Sequence, residues 1–321
     1  MKLLCLSGGG YLGLFTASVL MKIEEENAHP IGRYFDLIAG TSVGGLLALA
    51  VANEVPMTKV VKAMLEEGPG LFGHERPKAG LAGLMDLGRN ILRPKYSGQK
   101  LRALVTSLIP ENVLIGDLKH RVLVPSVNVT KGSPQVFKTG HHPTFVRDPK
   151  IPVLDAALAT SAAPSFFPMH TIGSERFVDG GLYANSPDIL ALHEATHFLN
   201  AKETEVSLLS IGTTSTKFSM SGSTPSELGW LGWMREQRLI SVMVSSQQMM
   251  SDYVMRHKLG DRYLRIDQTQ SKEQERELTL DTASEIARKD LQGLAEAAFR
   301  DNVVKPQFKS FFIQEADQFG G

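Results

Sequence analysis

The stretch FDLIAGTSVGGLLALAVA, Phe35 to Ala52, carries the first decision about the fold. Phe35–Ala39 is a short apolar run that stops at glycine, as a buried strand does. Val43–Ala52 is dominated by Ala and Leu and reads as a helix. Between them lies Gly40-Thr41-Ser42-Val43-Gly44, the pattern G-x-S-x-G at a strand-to-helix turn. Such a turn projects a serine hydroxyl from the end of a sheet. The flanking glycines are needed because side chains clash in so sharp a bend. The plainer alternative is a turn whose serine only caps the helix.

Upstream, Leu3–Leu6 reads as another buried strand and Tyr11–Glu26 as a helix. Strand, helix, strand, helix within the first 55 residues points to an α/β fold with a parallel sheet. The first junction is Gly8-Gly9-Gly10-Tyr11-Leu12-Gly13, which satisfies G-x-G-x-x-G. A dinucleotide site also needs an acidic residue at the end of the second strand. That strand ends in Gly40-Thr41-Ser42, so the dinucleotide reading fails. What survives is a cluster of glycine amides ahead of a helix, suited to developing negative charge.

Downstream, helices are expected at Met57–Glu67, Val153–Ala159, Pro187–Leu199 and Leu228–His257, with a loop over Gly68–Pro94. Strands are expected at Arg121–Val129, Val136–Lys138, Arg176–Val178 and Val206–Ile211. The strand at 176–178 runs into Asp179-Gly180-Gly181, which taken alone is a hairpin turn of the Asp-Gly kind. Thr282 and Glu285 form a capping box. It opens a last helix with Ala287, Leu291, Leu294 and Ala298 on one face.

The chain has 321 residues, 34 basic and 34 acidic, for a net charge of 0. That balance removes the electrostatic case for a nucleic-acid polymer. The single cysteine, Cys5, forbids an internal disulfide framework and suits a reducing compartment. Leu3–Leu6 is too short for a secretory core, and the uncharged run Leu37–Asn53 is shorter than the roughly 20 apolar residues of a membrane span. The expectation is a cytoplasmic protein.

Taken together, the glycine segment 8–13, the elbow Gly40–Gly44 and the turn Asp179–Gly181 resemble the patatin-like phospholipases, in order and approximate spacing. Thr160-Ser161-Ala162-Ala163-Pro164 and Asn185-Ser186-Pro187 look like that family's loops around the Asp motif. The resemblance covers about residues 2–212. It implies a three-layer α/β patatin-like fold, with a mainly parallel central sheet and helices on both faces. Residues 213–321 would be a helical extension packed on a catalytic domain of residues 1–212. It further implies a Ser-Asp dyad without histidine: Ser42 as nucleophile, Asp179 as base. Gly8, Gly9, Gly10 and Val43 would offer oxyanion-hole amides, and Gly13, Gly40, Gly44, Gly180 and Gly181 would complete the motifs. No metal or cofactor is implied.

Leu3–Leu20 and Pro30–Ala52 look especially like a bacterial subgroup of phospholipase effectors in anti-phage defence. Those are activated by a cyclic oligonucleotide. The expected partners are therefore membrane phospholipids, met peripherally at the inner membrane, and a cyclic di- or trinucleotide. A homo-oligomer is compatible with the sequence. Two departures stand out: Leu12 replaces the family's frequent Arg or Lys, and Ser7 a frequent Asp. A catalytically weak lipid-binding or regulatory protein is the alternative they raise. A triad would instead draw on His193, His197 or His257, none of which lies in a turn-rich motif. Leu71-Phe72 and Trp230–Met234 are apolar candidates for lipid contact, although core packing explains them more simply.

Overall fold

A computed structural model describes residues 1–27, 29–72, 94–214, 218–220, 222, 224–229, 232–233, 238–317 and 319. The strands are β1 (Lys2–Leu6), β2 (Leu37–Gly40), β3 (Val122–Asn128), β4 (Ser133–Lys138), β5 (His170–Ile172), β6 (Glu175–Asp179), β7 (Ser207–Ile211) and β8 (Tyr263–Ile266). They form one sheet in the order β5-β6-β3-β2-β1-β7-β8, with β4 on β3. Strands β3, β2, β1, β7 and β8 are parallel neighbours; β4, β5 and β6 pair antiparallel.

The central strands are apolar on both sides because both faces are covered. In β1, Leu4 and Leu6 enter one core while Leu3 and Cys5 enter the other. The larger core holds α1 (Gly13–Asn27), α2 (Val43–Ala52), α3 (Met57–Leu71), α4 (Gly98–Leu108) and α5 (Val153–Thr160). The smaller core takes Ala191, Leu192 and Ala195 of α6 (Asp188–His197). Met255 and Leu259 of α7 (Arg238–Leu259) join them there. The three-layer arrangement with a mainly parallel sheet is thus the observed one.

The C-terminal third is not only helical. β8 extends the sheet beside β7 in parallel register, Leu208 opposite Tyr263 through Ile211 opposite Ile266. The sheet therefore runs across the boundary expected at residue 212. Helix α8 (Glu285–Val303) packs on α1. Its cap is Ser284, whose Oγ accepts from the Ala287 amide at 3.1 Å, and not Thr282. Its inner face is Ala287, Leu291, Ala295 and Ala298, with Leu294 only partly covered.

One feature of the register places the site. β4 pairs with β3 from Leu123 to Asn128 and so occupies one whole edge. The other edge is shared. β2 pairs with Val122 and Leu123 in parallel, and β6 pairs with Ser126–Asn128 in antiparallel fashion. The carboxyl ends of β2 and β6 therefore meet head to head along β3. Pro125 lies in the gap between them. It has no N–H to orphan there, and its carbonyl accepts from the Thr160 hydroxyl at 2.6 Å.

Candidate active site

Ser42 follows the tip of β2, and Asp179 is the last residue of β6. The shared edge brings them together: Ser42 Oγ donates to Asp179 Oδ2 at 2.7 Å. Ser42 has φ 55° and ψ −126°, a left-handed conformation that costs a non-glycine residue on the order of 1–3 kcal/mol. Its hydroxyl makes no capping bond to α2, so the helix-cap reading is not what the turn is for. A Cβ on Gly40 would strike the carbonyl of Gly44, and one on Gly44 the carbonyl of Leu6. The elbow is thus pressed against β1 and tolerates no side chain at either glycine. The Ser42 amide donates to Thr160 Oγ1 at 3.0 Å, and Thr41 Oγ1 donates to Ala184 O at 2.6 Å.

Asp179 is almost wholly buried, at 5% exposure. Its amide donates to Ala162 O at 3.0 Å, and its Oδ1 accepts from the Gly181 amide at 2.7 Å. Burial raises the carboxyl from 3.8 to about 6, against the Ser42 and Gly181 hydrogen bonds that lower it. Gly180 has φ −67° and Asp179 has no positive φ either, which together exclude the primed hairpin turns that Asp-Gly suggested by itself. The chain instead enters a one-turn helix, Gly181–Ala184.

The glycine segment lies beside this pair. The amides of Gly9, Gly10 and Val43 have no acceptor among the described residues, and all three residues line the cavity that holds Ser42 and Asp179. Gly8 is different. Its amide donates to Asn185 O at 2.9 Å, so it is not free to bind an oxyanion. Gly8 serves the loop from behind: its carbonyl accepts from Thr213 Oγ1 at 3.1 Å and Asn185 Nδ2 at 3.3 Å. Gly10 has φ +57°, and a Cβ there would hit Leu280 O, which already accepts the Tyr11 amide at 2.8 Å. Gly13 lets α1 approach α2, since a Cβ would strike Val43.

Leu12 is buried in the main core, so no charge stands at that position. A cation reaches the loop from elsewhere. Buried Arg265 of β8 donates to Ser7 Oγ at 3.1 Å and Ser210 Oγ at 2.8 Å, and pairs with Asp267 at 2.8 Å. Ser7 Oγ also contacts Ser186 Oγ at 3.0 Å. Gln247 of α7 is a second brace. Its Oε1 accepts from the Asn185 amide at 3.0 Å, and its Nε2 donates to Gly181 O and Leu182 O at 3.2 Å each. Neither residue carried a signal in the linear sequence, because each lies more than 50 positions from the loop and strand residues it braces. Thr160 and Asn185, by contrast, lie in segments that the motif comparison had marked.

From Ser42 the cavity runs between α2, α3 and α4. Its wall is apolar, including Leu46, Met64, Leu71, Leu104 and Phe167. Ser161 is the exception: its buried hydroxyl has no hydrogen-bond partner among the described residues. Leu71 is buried and Phe72 packs against Tyr11, Tyr96 and Phe167, so this pair is core and cavity wall. Trp230, Leu231 and Met234 lie outside the described residues; Trp233 is half-buried. His193 and His197 stack on each other at 5.1 Å, and His257 bonds Tyr253 O. None of the three lines the cavity.

A serine on a strained strand-to-helix elbow, a buried carboxyl and free amides above an apolar cavity define a serine ester hydrolase type of site. The comparisons with known proteins agree. Residues 4–192 match the patatin-like phospholipases, and the chain belongs to that family of lipid ester hydrolases. It is 37% identical over 316 residues to a cGAMP-activated phospholipase of Pseudomonas aeruginosa, covering 98% of this chain and 92% of the relative. A cGAMP-activated phospholipase of Vibrio cholerae is 37% identical over 304 residues, 88% of this chain and 86% of its own. One from Escherichia coli is 34% identical over 344 residues, 99% and 94%.

The bonding of Asp179 and that of Gln247 each generate a prediction. The raised folded value of Asp179 means that the native state holds a proton the unfolded chain has lost between pH 3.8 and about 6. Stability from this group is present below that window and lost as pH rises through it. Asp179→Asn should therefore raise thermal stability at pH 7–8, by up to roughly 3 kcal/mol, and the gain should vanish below pH 4. Urea unfolding at both pH values tests this; equal gains would refute the burial argument. Gln247→Met keeps length and packing but drops three hydrogen bonds. It should lower kcat roughly tenfold and move the acidic limb of the pH profile upward, with KM for a short soluble ester little changed. A pH profile superimposable on that of the parent would reject the positioning role.

Proposed function

We propose that the chain hydrolyses acyl esters of membrane phospholipids through a Ser42–Asp179 dyad and an acyl-enzyme, switched on by a cyclic dinucleotide of the cGAMP kind. The observation that carries the chemistry is the 2.7 Å hydrogen bond from Ser42 Oγ to Asp179 Oδ2, beside amides at Gly9, Gly10 and Val43 that meet no acceptor among the described residues. Ser42 Oγ attacks the ester carbonyl carbon as its proton passes to Asp179. The developing oxyanion meets the three amides; one such donor is typically worth roughly 3 kcal/mol. The carbonyl–oxygen bond to the lysophospholipid then breaks, and Asp179 returns the proton to the leaving oxygen. Water, deprotonated by Asp179, attacks the acyl-enzyme and releases a fatty acid and free Ser42.

An aspartate near its ordinary 3.8 is a weak base, and burial to about 6 brings it closer to working pH. The apolar cavity suits an acyl chain and keeps water from the carboxyl. Activation by a cyclic dinucleotide is supported by three relatives, each a cGAMP-activated phospholipase, whose similarity covers most of this chain. A role in anti-phage defence is the biological context consistent with such activation.

Ser42→Ala and Asp179→Asn should each abolish release of fatty acid from phospholipid vesicles. Activity of the parent should rise with pH through an inflection near 6 and should be low until cGAMP is added. A fully active Asp179→Asn would sink the dyad; a rate indifferent to cGAMP would remove the activation and leave the hydrolase.

A further inference from the structure

Helix α7 inverts the usual distribution of polarity. A helix on a protein surface ordinarily turns charged residues to water. From Leu239 to Ser251 this one carries no charge at all. Leu239, Ser246, Met250 and Tyr253 recur at intervals of seven, four and three, and so share one face. That face is outward: Leu239 is 36% exposed, Met250 55% and Tyr253 65%, with Met249 beside them at 52%. The opposite face, Ser251, Met255 and Leu259, is buried. Single exposed apolar residues need no explanation, but a contiguous run does.

The flank of the same helix reaches the catalytic centre. Ile240, Met243 and Val244 line the cavity of Ser42, and Leu182, 38% exposed, stands at its rim. The apolar stripe is thus continuous with the cavity wall. The substrate of this site sits in a bilayer with its acyl chains below the surface, and the chain must pass from that interior to Ser42. We infer that the outward face of α7 is the surface on which the protein docks to the phospholipid bilayer, lying flat at the headgroup–acyl boundary. The inference rests on the lipid-hydrolase reading above and adds where the membrane is met.

The geometry fits this occupant. The 22 residues of α7 extend about 33 Å, enough for a flat contact of several turns. Tyr253 offers an amphipathic ring suited to the interface. Met249 and Met250 are flexible, polarizable side chains that adapt to an uneven surface. Cations at the end of the helix add little, because Arg256 pairs with Asp252 at 2.9 Å and Lys258 with Glu203 at 2.8 Å. Docking is therefore apolar in origin and persists at high salt.

The test is flotation with vesicles of phosphatidylethanolamine and phosphatidylglycerol at 3:1, with and without cGAMP, at 0.1 and 0.5 M NaCl. The full chain should float in at least the cGAMP condition, and equally at both salts. Met249→Glu/Met250→Glu should lose binding roughly tenfold or more, and Met249→Ser/Met250→Ser should lose a smaller part. Both variants should hydrolyse a short soluble ester at the parent rate, which shows that they are folded. A parent that floats in neither condition, or a Glu variant that floats like the parent, overturns the docking surface. So does a parent dimer that the Glu variant turns monomeric with flotation unchanged, since the stripe then joins two copies. Loss of Ser42-dependent ester hydrolysis in the parent itself would instead count against the hydrolase reading.

Discussion

The structure depends on two strand tips meeting along one edge of β3. β2 climbs that edge and stops; β6 descends it and stops; Pro125 fills the interval. Neither strand could be extended by two residues without displacing the other. The consequence is that the second residue beyond one tip, Ser42, and the last residue of the other, Asp179, face each other at hydrogen-bond distance, although 137 positions separate them. A sheet of continuous ladders would have no such gap, and its backbone donors would be satisfied by neighbours. Here the interruption leaves room for a hydroxyl and a carboxyl, and a proline removes the donor that the gap would otherwise leave unpaired.

Around that contact, stability is given up locally and restored by surroundings. Ser42 is held in a conformation that other residues avoid, and Asp179 is buried where an ionised carboxyl is disfavoured. Both are over-determined by backbone bonds. Thr160 takes the Ser42 amide, Ala162 the Asp179 amide, and Gly181 donates to the carboxylate. The proposed oxyanion loop is braced in the same way. Its outward amides stay free because its other polar groups are held by Asn185, Thr213 and Leu280. A preorganised donor set needs this rigidity, since donors that must reorient during reaction lose much of their effect.

Much of the fold was legible along the chain. The strand–helix pairs around Gly8–Gly13 and Gly40–Gly44 were readable because apolar runs end at glycines and the helices that follow are rich in Ala and Leu. Helix α2 appears with the bounds its composition suggests, Val43 to Ala52. Short β5 and β8 were not legible, because three or four residues give no periodicity. The last helix shows a milder error. Thr282 and Glu285 fit a capping pattern, yet Ser284 caps, because its side chain is the one beside the Ala287 amide. Arg265, brought beneath the glycine loop by β8, had no local signature.

By itself the sequence determined which residues are chemically equipped: a serine between glycines after a strand, an aspartate before two glycines, and a glycine run ahead of a helix. Those are local properties, set by steric demands within a few residues. Only the tertiary structure decided which amides are free, that Gly8 is engaged while Gly9, Gly10 and Val43 are not. It alone raised Asp179 to about 6 and placed Gln247 and Arg265 behind the loops. Burial and hydrogen-bond partners belong to the packed chain, because they depend on segments that meet only after the sheet has formed.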